Sequence, residues 1–308
     1  MSTSLPPAVV ITALGFAWPN GTTALHDITA NFGRGRTGLT GRNGSGKSTL
    51  LRLIAGELAP TEGSVVASAA IGYLRQDLAL AVDDTVAQAL GIAERRAALA
   101  AVLAGHATAE DFETVGDDWD LEERAVEVLA DLGMPTTSEV LDRALGTLSG
   151  GETVLIGLAR LRLAGAAITL LDEPTNNLDR RARESLYAAV RSWKGALIVV
   201  SHDRELLDLM DETAELFQGG IRTFGGNFSA YEEQLRIERE AAERGIRSAE
   251  QELRIEKRQR IDAEVKLAHR ARYAKTDYEN KRMPKIVMNE RKSEAQVSAG
   301  KHRTMRAA

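Results

Sequence analysis

The chain of 308 residues contains no cysteine. Disulfides, thiolate metal sites and cysteine nucleophiles are thereby excluded, and the composition suits a reducing compartment. It also lacks long apolar runs. Runs such as residues 196–200 fall far short of the ~18 residues a membrane span needs. The apolar stretch near the N-terminus has no basic flank before it, so it does not read as a secretory signal. No internal repeat is visible. These absences predict a protein of the cytoplasm with no membrane insertion. What is present is an ordinary globular composition, 44% hydrophobic and 27% charged, with enough length for a large buried core.

The net charge of −5 conceals a division. Residues 236–308 carry 20 Lys/Arg against 12 Asp/Glu, whereas residues 1–235 carry 19 against 32. An acidic body with a basic tail fits a polyanionic partner for the tail. It fits equally a solvated helix rich in exposed Lys and Arg.

Up to residue 226, short β-branched runs alternate with amphipathic stretches. Strands are predicted at 8–12, 38–40, 71–74, 168–171 and 197–201, and helices at 48–55, 121–132, 152–163, 181–193 and 204–210. This alternation predicts an α/β fold with a parallel sheet covered on both faces. Residues 84–132 show no strand pattern and begin a helical subdomain, taken as about 84–165. Beyond residue 227, apolar or small residues recur in threes and fours at Phe228, Tyr231, Leu235, Ala242, Ile246, Ala249, Leu253, Ile261, Val265 and Ala268. That is a narrow helical stripe, too long to lie on a compact domain. Pro284 interrupts it and a second helical stretch covers 286–297, so the tail reads as a hairpin; an unstructured charged tail is the competing reading.

Gly41-Arg42-Asn43-Gly44-Ser45-Gly46-Lys47-Ser48-Thr49 satisfies G-x-x-x-x-G-K-[ST] between a predicted strand and a helix. Its glycines let backbone N–H groups turn toward phosphate oxygens. Lys47 supplies a point charge, Ser48 a hydroxyl for Mg²⁺, and the helix dipole favours the anion. A second strand, 168–171, delivers Asp172 and Glu173. Asp172 can hold Mg²⁺ through water and Glu173 can deprotonate an attacking water; taken alone, the pair also reads as a helix N-cap. Leu148-Ser149-Gly150-Gly151-Glu152 heads another helix and is either a second anion cradle or an ordinary helix start.

Together with Gln76 after a strand, Asp172-Glu173-Pro174-Thr175, Asn177-Leu178-Asp179 and Ser201-His202-Asp203-Arg204, these motifs resemble, in order, an ATP-binding cassette (ABC) ATPase over about residues 8–226. The resemblance implies a P-loop NTPase ABC nucleotide-binding domain, residues 1–226, that binds ATP and Mg²⁺ and hydrolyses ATP. It implies phosphate contacts from Gly41, Asn43, Gly44, Ser45, Gly46, Lys47, Ser48 and Thr49, and Mg²⁺ contacts from Ser48, Gln76 and Asp172. Glu173, His202, Gln76 and Lys47 are the implied catalytic set, with His202 on the γ-phosphate. Trp18 is implied to stack on adenine, simple core burial being the other reading. Ser149 and Gly151 would complete the ATP site of an opposing cassette.

Three segments are similar to the ABC-F subfamily of translation-associated ATPases: residues 172–179, 201–207 and 224–231. Asn177 stands where that subfamily usually has His, and Thr153 and Val154 stand where a basic residue is often found. The resemblance implies that residues 227–308 are the helical linker between two cassettes, reaching the ribosome and its tRNA through Arg272, Tyr273, Lys275, Lys281, Arg282 and Lys285. Tyr273 and Tyr278 would stack on bases or pack within the hairpin. With one phosphate loop and one signature segment, the chain is expected to need a second cassette, either in a longer protein of which this is the N-terminal half or in a second copy. The rival expectations are the ATP-binding subunit of a membrane ABC transporter and a DNA-repair cassette. The ABC-F reading covers both a translation factor and an antibiotic-resistance protein acting on the ribosome.

Overall fold

The computed structural model describes residues 6–76, 83–176, 178–217, 219–279, 287 and 289–297. The chain folds as two compact units, Met1–Glu233 and Gln234–Ala308.

The first unit is built on two sheets. β1 (Val9–Ala17) lies between β2 (Thr23–Phe32) and β4 (Glu62–Ala67) in an antiparallel sheet of order β2-β1-β4. The larger sheet has order β5-β6-β7-β3-β8-β9, formed by β5 (Ile71–Leu74), β6 (Ile168–Asp172), β7 (Ala196–Val200), β3 (Arg36–Gly41), β8 (Glu212–Phe217) and β9 (Gly220–Gly225). The first five of these run parallel and β9 closes the edge antiparallel.

β6 and β7 are buried along their whole length, which explains the unbroken apolar sequence of β7 and the mostly apolar one of β6. Their side chains still alternate. Ile168, Leu170, Ala196, Ile198 and Val200 join one core with β1, β2 and α1 (Lys47–Ile54). Leu171, Leu197 and Val199 join the other core. That second core packs against α2 (Val86–Leu90), α5 (Leu121–Asp131), α6 (Gly150–Leu163), α7 (Arg180–Arg191) and α8 (Arg204–Leu207). α3 (Ala93–Leu103) and α4 (Ala109–Val115) pack as a small pair of their own around Ala98, Leu99 and Val115.

The sheet covered on both faces is present, but the first predicted strand does not belong to it. Residues 9–12 of that strand form part of β1 in the antiparallel sheet, and β2, β4, β8 and β9 are strands the alternation argument did not anticipate. Positive φ at Ala13 (45°) and Asp27 (50°) accompanies register shifts in β1 and β2, which breaks a period of two. β4 and β9 are largely exposed, so neither carries a hydrophobic face to read.

α9 (Phe228–Glu279) has 52 residues, on the order of 80 Å at a normal helical rise. Its first turns belong to the first unit. Tyr231 is buried against Phe224 and Phe228, with ring centroids 4.9 and 5.7 Å away. Ser229 donates to Asp208 from both N–H and Oγ at 2.7 Å, and Asn227 Oδ1 accepts from the Ala230 N–H at 3.1 Å. In the second unit the stripe residues Ile246, Leu253, Ile261 and Val265 are exposed. Pairs one turn apart run along this part of the helix, including Arg236–Glu240 at 2.6 Å and Arg247–Glu243 at 3.2 Å. Such pairs contribute about 0.3–0.5 kcal/mol each, which suits a helix with polar surroundings. Tyr273 is exposed and lies 6.4 Å from the His269 ring of the same helix. Residues 289–297 are helical. Pro284, Lys281, Arg282, Lys285 and the side chain of Tyr278 lie outside the described residues, and with them the turn of the expected hairpin. Among the described residues, no helix is long and apolar enough to cross a membrane.

Candidate nucleotide site

Four strands deliver the candidate residues to one edge of the parallel sheet. The phosphate loop follows β3, Gln76 lies two residues past β5, Asp172 ends β6, and His202 lies two residues past β7. Register fixes their neighbourhood: Asp172 pairs with Val200, which also pairs with Leu39. The carboxyl ends of parallel strands are where open α/β sheets bind ligands. There a cleft of about 530 Å³ is lined by Trp18, Asn43, Gly44, Gly46, Lys47, Ser48, Thr49, Gln76, Glu173 and His202. Gly41, Ser45 and Asp172 are not on its wall.

The loop geometry depends on glycine. At Gly46 φ is 98°, and a Cβ there would lie 2.8 Å from Leu25 Cδ2 and 3.1 Å from the Ala24 carbonyl oxygen. At Gly41 φ is 148°, and a Cβ would lie 2.7 Å from the Leu216 carbonyl oxygen. The loop therefore lies tight on β2 and β8, where only glycine fits.

Lys47 is 8% exposed and its Nζ donates to the carbonyls of Gly41 at 2.9 Å and Arg42 at 3.2 Å. Burial pulls its ammonium below the ordinary value, against the opposing pull of Glu173 and Asp172. The Asp172 carboxylate is gripped at both oxygens. Ser48 Oγ donates to Oδ1 at 3.1 Å and Tyr73 Oη donates to Oδ2 at 3.2 Å. Burial, and then Asp172, push the pKa of the Tyr73 phenol up, so it remains a donor.

Glu173 has φ 48°, an unusual conformation for a residue other than glycine, and its N–H donates to the Val200 carbonyl at 2.8 Å. Its side chain is 11% exposed. Oε2 accepts the His202 backbone N–H at 3.3 Å, and Oε1 lies 3.4 Å from His202 Nε2. Burial raises the Glu173 carboxyl above the usual carboxylate range, partly opposed by His202 and Lys47. A strained backbone holding a desolvated carboxylate beside an imidazole and a lysine has the character of a functional site.

Trp18 is half-buried, its ring edge-on to Phe16 with centroids 4.9 Å apart, and it also lines the cleft. It therefore packs on the core and also contributes to the cleft wall. Ser149 and Gly151 are not brought into the cleft. Ser149 caps α6 in a reciprocal box with Glu152: Glu152 N–H donates to Ser149 Oγ at 3.2 Å, and Ser149 N–H donates to Glu152 Oε2 at 2.8 Å. Gly151 is buried, and a Cβ there would lie 3.0 Å from Ala182 Cβ. Asn177 lies outside the described residues. Sequence reasoning missed Tyr73, and missed the cleft-lining Thr22, Thr23, Ala24, Asn176 and Val200. Tyr73 stands three residues before Gln76, but its reach to Asp172 depends on β5–β6 pairing, which no motif encodes.

The site fits a nucleoside triphosphate with magnesium. Ser45 Oγ is buried in the loop with no hydrogen-bond partner among the described residues. Gly44, Gly46 and Lys47 all line the cleft. Among the described residues, no group of three or more acidic or histidine side chains could hold a metal by itself. A cation here would need phosphate oxygens alongside Ser48 and Asp172.

The profile of the ABC transporter family matches residues 25–176. Residues 25–176 are a domain of this family. It is 36% identical over 220 residues to the tylosin resistance ATP-binding protein TlrC of Streptomyces fradiae, covering 64% of this chain and 40% of that protein. It is 33% identical over 228 residues to the energy-dependent translational throttle protein EttA of Mycobacterium tuberculosis, covering 67% and 40%. ABC transporter F family member 5 of Arabidopsis thaliana is 30% identical over 240 residues, covering 68% and 34%. The ABC cassette is accordingly of the ABC-F type. The chain spans about two fifths or less of the length of these curated relatives. A bacterial Atm1-family ABC exporter with ATP bound shares the fold, with a TM-score of 0.57 at 20% identity over 75% of this chain and 41% of that one.

Proposed function

We propose that this chain is the N-terminal cassette and helical linker of an ABC-F protein that hydrolyses ATP to act on the translating ribosome, in the cytoplasm. One observation carries the reading. The chain that carries the ABC nucleotide cleft continues into a 52-residue polar helix, whose first turns are fixed through Asp208, Ser229 and Tyr231. The names of two relatives, a translational throttle and a tylosin resistance protein, support it. The basic excess of the tail supports phosphate-directed contact with RNA. A transporter subunit has no evident use for such an extension.

In this reading the loop from Gly41 to Thr49 and the Lys47 ammonium bind the phosphates, and Trp18 stacks on the base. Ser48, Gln76 and Asp172 hold Mg²⁺, which when bound neutralises phosphate charge. Glu173 takes the proton of the water that attacks the γ-phosphorus as the bond to ADP breaks, and His202 donates to the γ-phosphate. Ser149 and Gly151 present the α6 N-terminus to the nucleotide of an opposing cassette, so turnover requires a second cassette. Closure on ATP and release on hydrolysis make a two-state switch.

The test is co-sedimentation with ribosomes in a nonhydrolysable ATP analogue across a salt series. Salt-sensitive binding is expected, weakened by charge reversal of Arg272 and Lys275. Binding to membrane permeases or duplex DNA with no ribosome association would overturn the proposal.

A further inference from the structure

His202 is exposed, its side chain 61% accessible beside a Glu173 that is 11% accessible. Both flanking residues are anchored to one segment, residues 175–187. Ser201 is buried and its hydroxyl shares a 3.2 Å hydrogen bond with Thr175 Oγ1. The Asp203 N–H donates to the same Ser201 oxygen at 3.0 Å. Asp203 Oδ1 accepts the N–H groups of Glu205 at 3.0 Å and Leu206 at 3.3 Å, capping α8. Asp203 Oδ2 accepts the Tyr187 hydroxyl at 2.6 Å and lies 3.6 Å from Arg183 Nε. Tyr187 is 6% exposed on α7.

A four-residue helix has too few internal hydrogen bonds to fix its own position. The placement of α8, and of the backbone that presents His202, therefore depends on the Asp203 cap and on whatever fixes that carboxylate. The Tyr187 phenol makes the shortest contact to it. Burial and Asp203 both push the pKa of this phenol up, so it keeps its proton and donates at neutral pH.

We propose that Tyr187 is a positioning residue for His202, acting through Asp203 to hold the imidazole at the Glu173 carboxylate. The inference deepens the reading in which His202 serves ATP hydrolysis at this cleft. It also makes α7, which Asp179 caps through the Ala182 N–H at 2.8 Å, the element that sets the imidazole's place.

The experiment is Tyr187→Phe in the full chain, which removes one oxygen and keeps the ring. Histidine side-chain NMR without nucleotide is the first readout, with the His202 signal assigned by its loss in His202→Ala. The His202 signal is expected to shift or broaden while the other histidine signals stay in place. Asp203→Asn keeps a capping side chain and is expected to move the same signal, so the test survives a Tyr187 variant that fails to fold. Where ATP turnover is measurable, kcat is expected to fall about tenfold with KM little changed, as loss of one strong hydrogen bond implies. The same change in a His202→Ala background should then cost nothing more. An unmoved His202 signal in both variants, or losses that multiply with His202→Ala, would overturn the proposal. The first readout needs no hydrolysis, so absence of ATPase activity would count against the functional reading and leave the positioning role to be decided by the spectrum.

Discussion

Replacing Glu173 with Gln exchanges one carboxylate oxygen for an amide in a side chain that is 11% exposed. The backbone at φ 48° is common to both chains, so its strain cancels. The amide oxygen can still accept the His202 N–H now at 3.3 Å from Oε2. What disappears is a group basic enough to take a proton from water. General base catalysis contributes roughly 10²–10⁴-fold, or about 3–5.5 kcal/mol of barrier. That whole loss is expected in kcat. ATP affinity should hold or tighten, since a negative charge facing the phosphates has gone. Stability should respond with a definite sign. Burial raises the Glu173 pKa, so the folded chain binds this proton more tightly than the unfolded chain does. The group's contribution to stability therefore falls as pH rises from the unfolded value near about 4.3 through the higher folded value, and is level above it. The Gln variant lacks that decline and should be at least as stable as the parent at neutral pH, with the gap closing toward pH ~4. Phosphate release, nucleotide titration and urea midpoints across pH measure the three effects. Hydrolysis at the parental rate would refute the base assignment, and a tenfold loss of ATP affinity would refute the geometry behind it.

Gly46→Ala forces a Cβ to within 2.8 Å of Leu25 at φ 98°, and should cost about 1–3 kcal/mol of stability along with nucleotide binding; unchanged urea and nucleotide titrations would contradict the loop geometry. The Arg36 guanidinium holds Asp211 below the usual carboxylate range through contacts at 2.7 and 3.1 Å. That pair stabilises the fold above the unfolded pKa of about 3.9 and is lost as pH falls through the depressed folded value. Asp211→Asn should thus cost up to about 1 kcal/mol near neutrality, since the carboxylate is half-exposed, and the difference should vanish in acid; a gap that widens on acidification would reverse the argument. Tyr231→Ala removes a buried ring from between Phe224 and Phe228 and should cost on the order of 3 kcal/mol. Hydrogen exchange at residues 228–233 should accelerate strongly, and unaltered protection there would show that the root of α9 is held by other contacts.

The parallel core was legible because its strands are buried on both faces. Residues 168–171 and 197–201 are mostly apolar, broken only by Thr169 and ended by Ser201, and the structure places β6 and β7 on them within a residue. Helix starts were legible where a cap advertises them, as at Asp179 and Asp203. The antiparallel strands were opaque for a different reason. β2 reads Thr23-Ala24-Leu25-His26-Asp27-Ile28-Thr29-Ala30-Asn31-Phe32, with Leu25, Ile28 and Phe32 buried. Spacings of three and four look helical, and only the bulge at Asp27 reconciles them with a strand. β9 shows almost no buried face and depends on its pairing with β8.

The candidate site divides along the same line between local and non-local information. Gly41 to Thr49 form one contiguous loop, and a loop's chemistry can be read in order from its letters. Asp172 and Glu173 are adjacent, and their strand delivers them together. The controls on those groups come from elsewhere in the chain: Tyr73 reaches Asp172 from β5, Glu173 meets His202 across 29 positions, and Tyr187 holds Asp203 across 16. Each of these contacts exists only once strand order and helix packing are fixed, and β6 and β7 must be neighbours before Glu173 can bond the Val200 carbonyl at all. Sequence motifs therefore identify the groups that meet a phosphate, while the groups that aim them follow from topology. An exposed imidazole such as His202 has little packing of its own, so its accuracy has to be supplied through buried neighbours. Ser201 and Asp203 are where this fold supplies it.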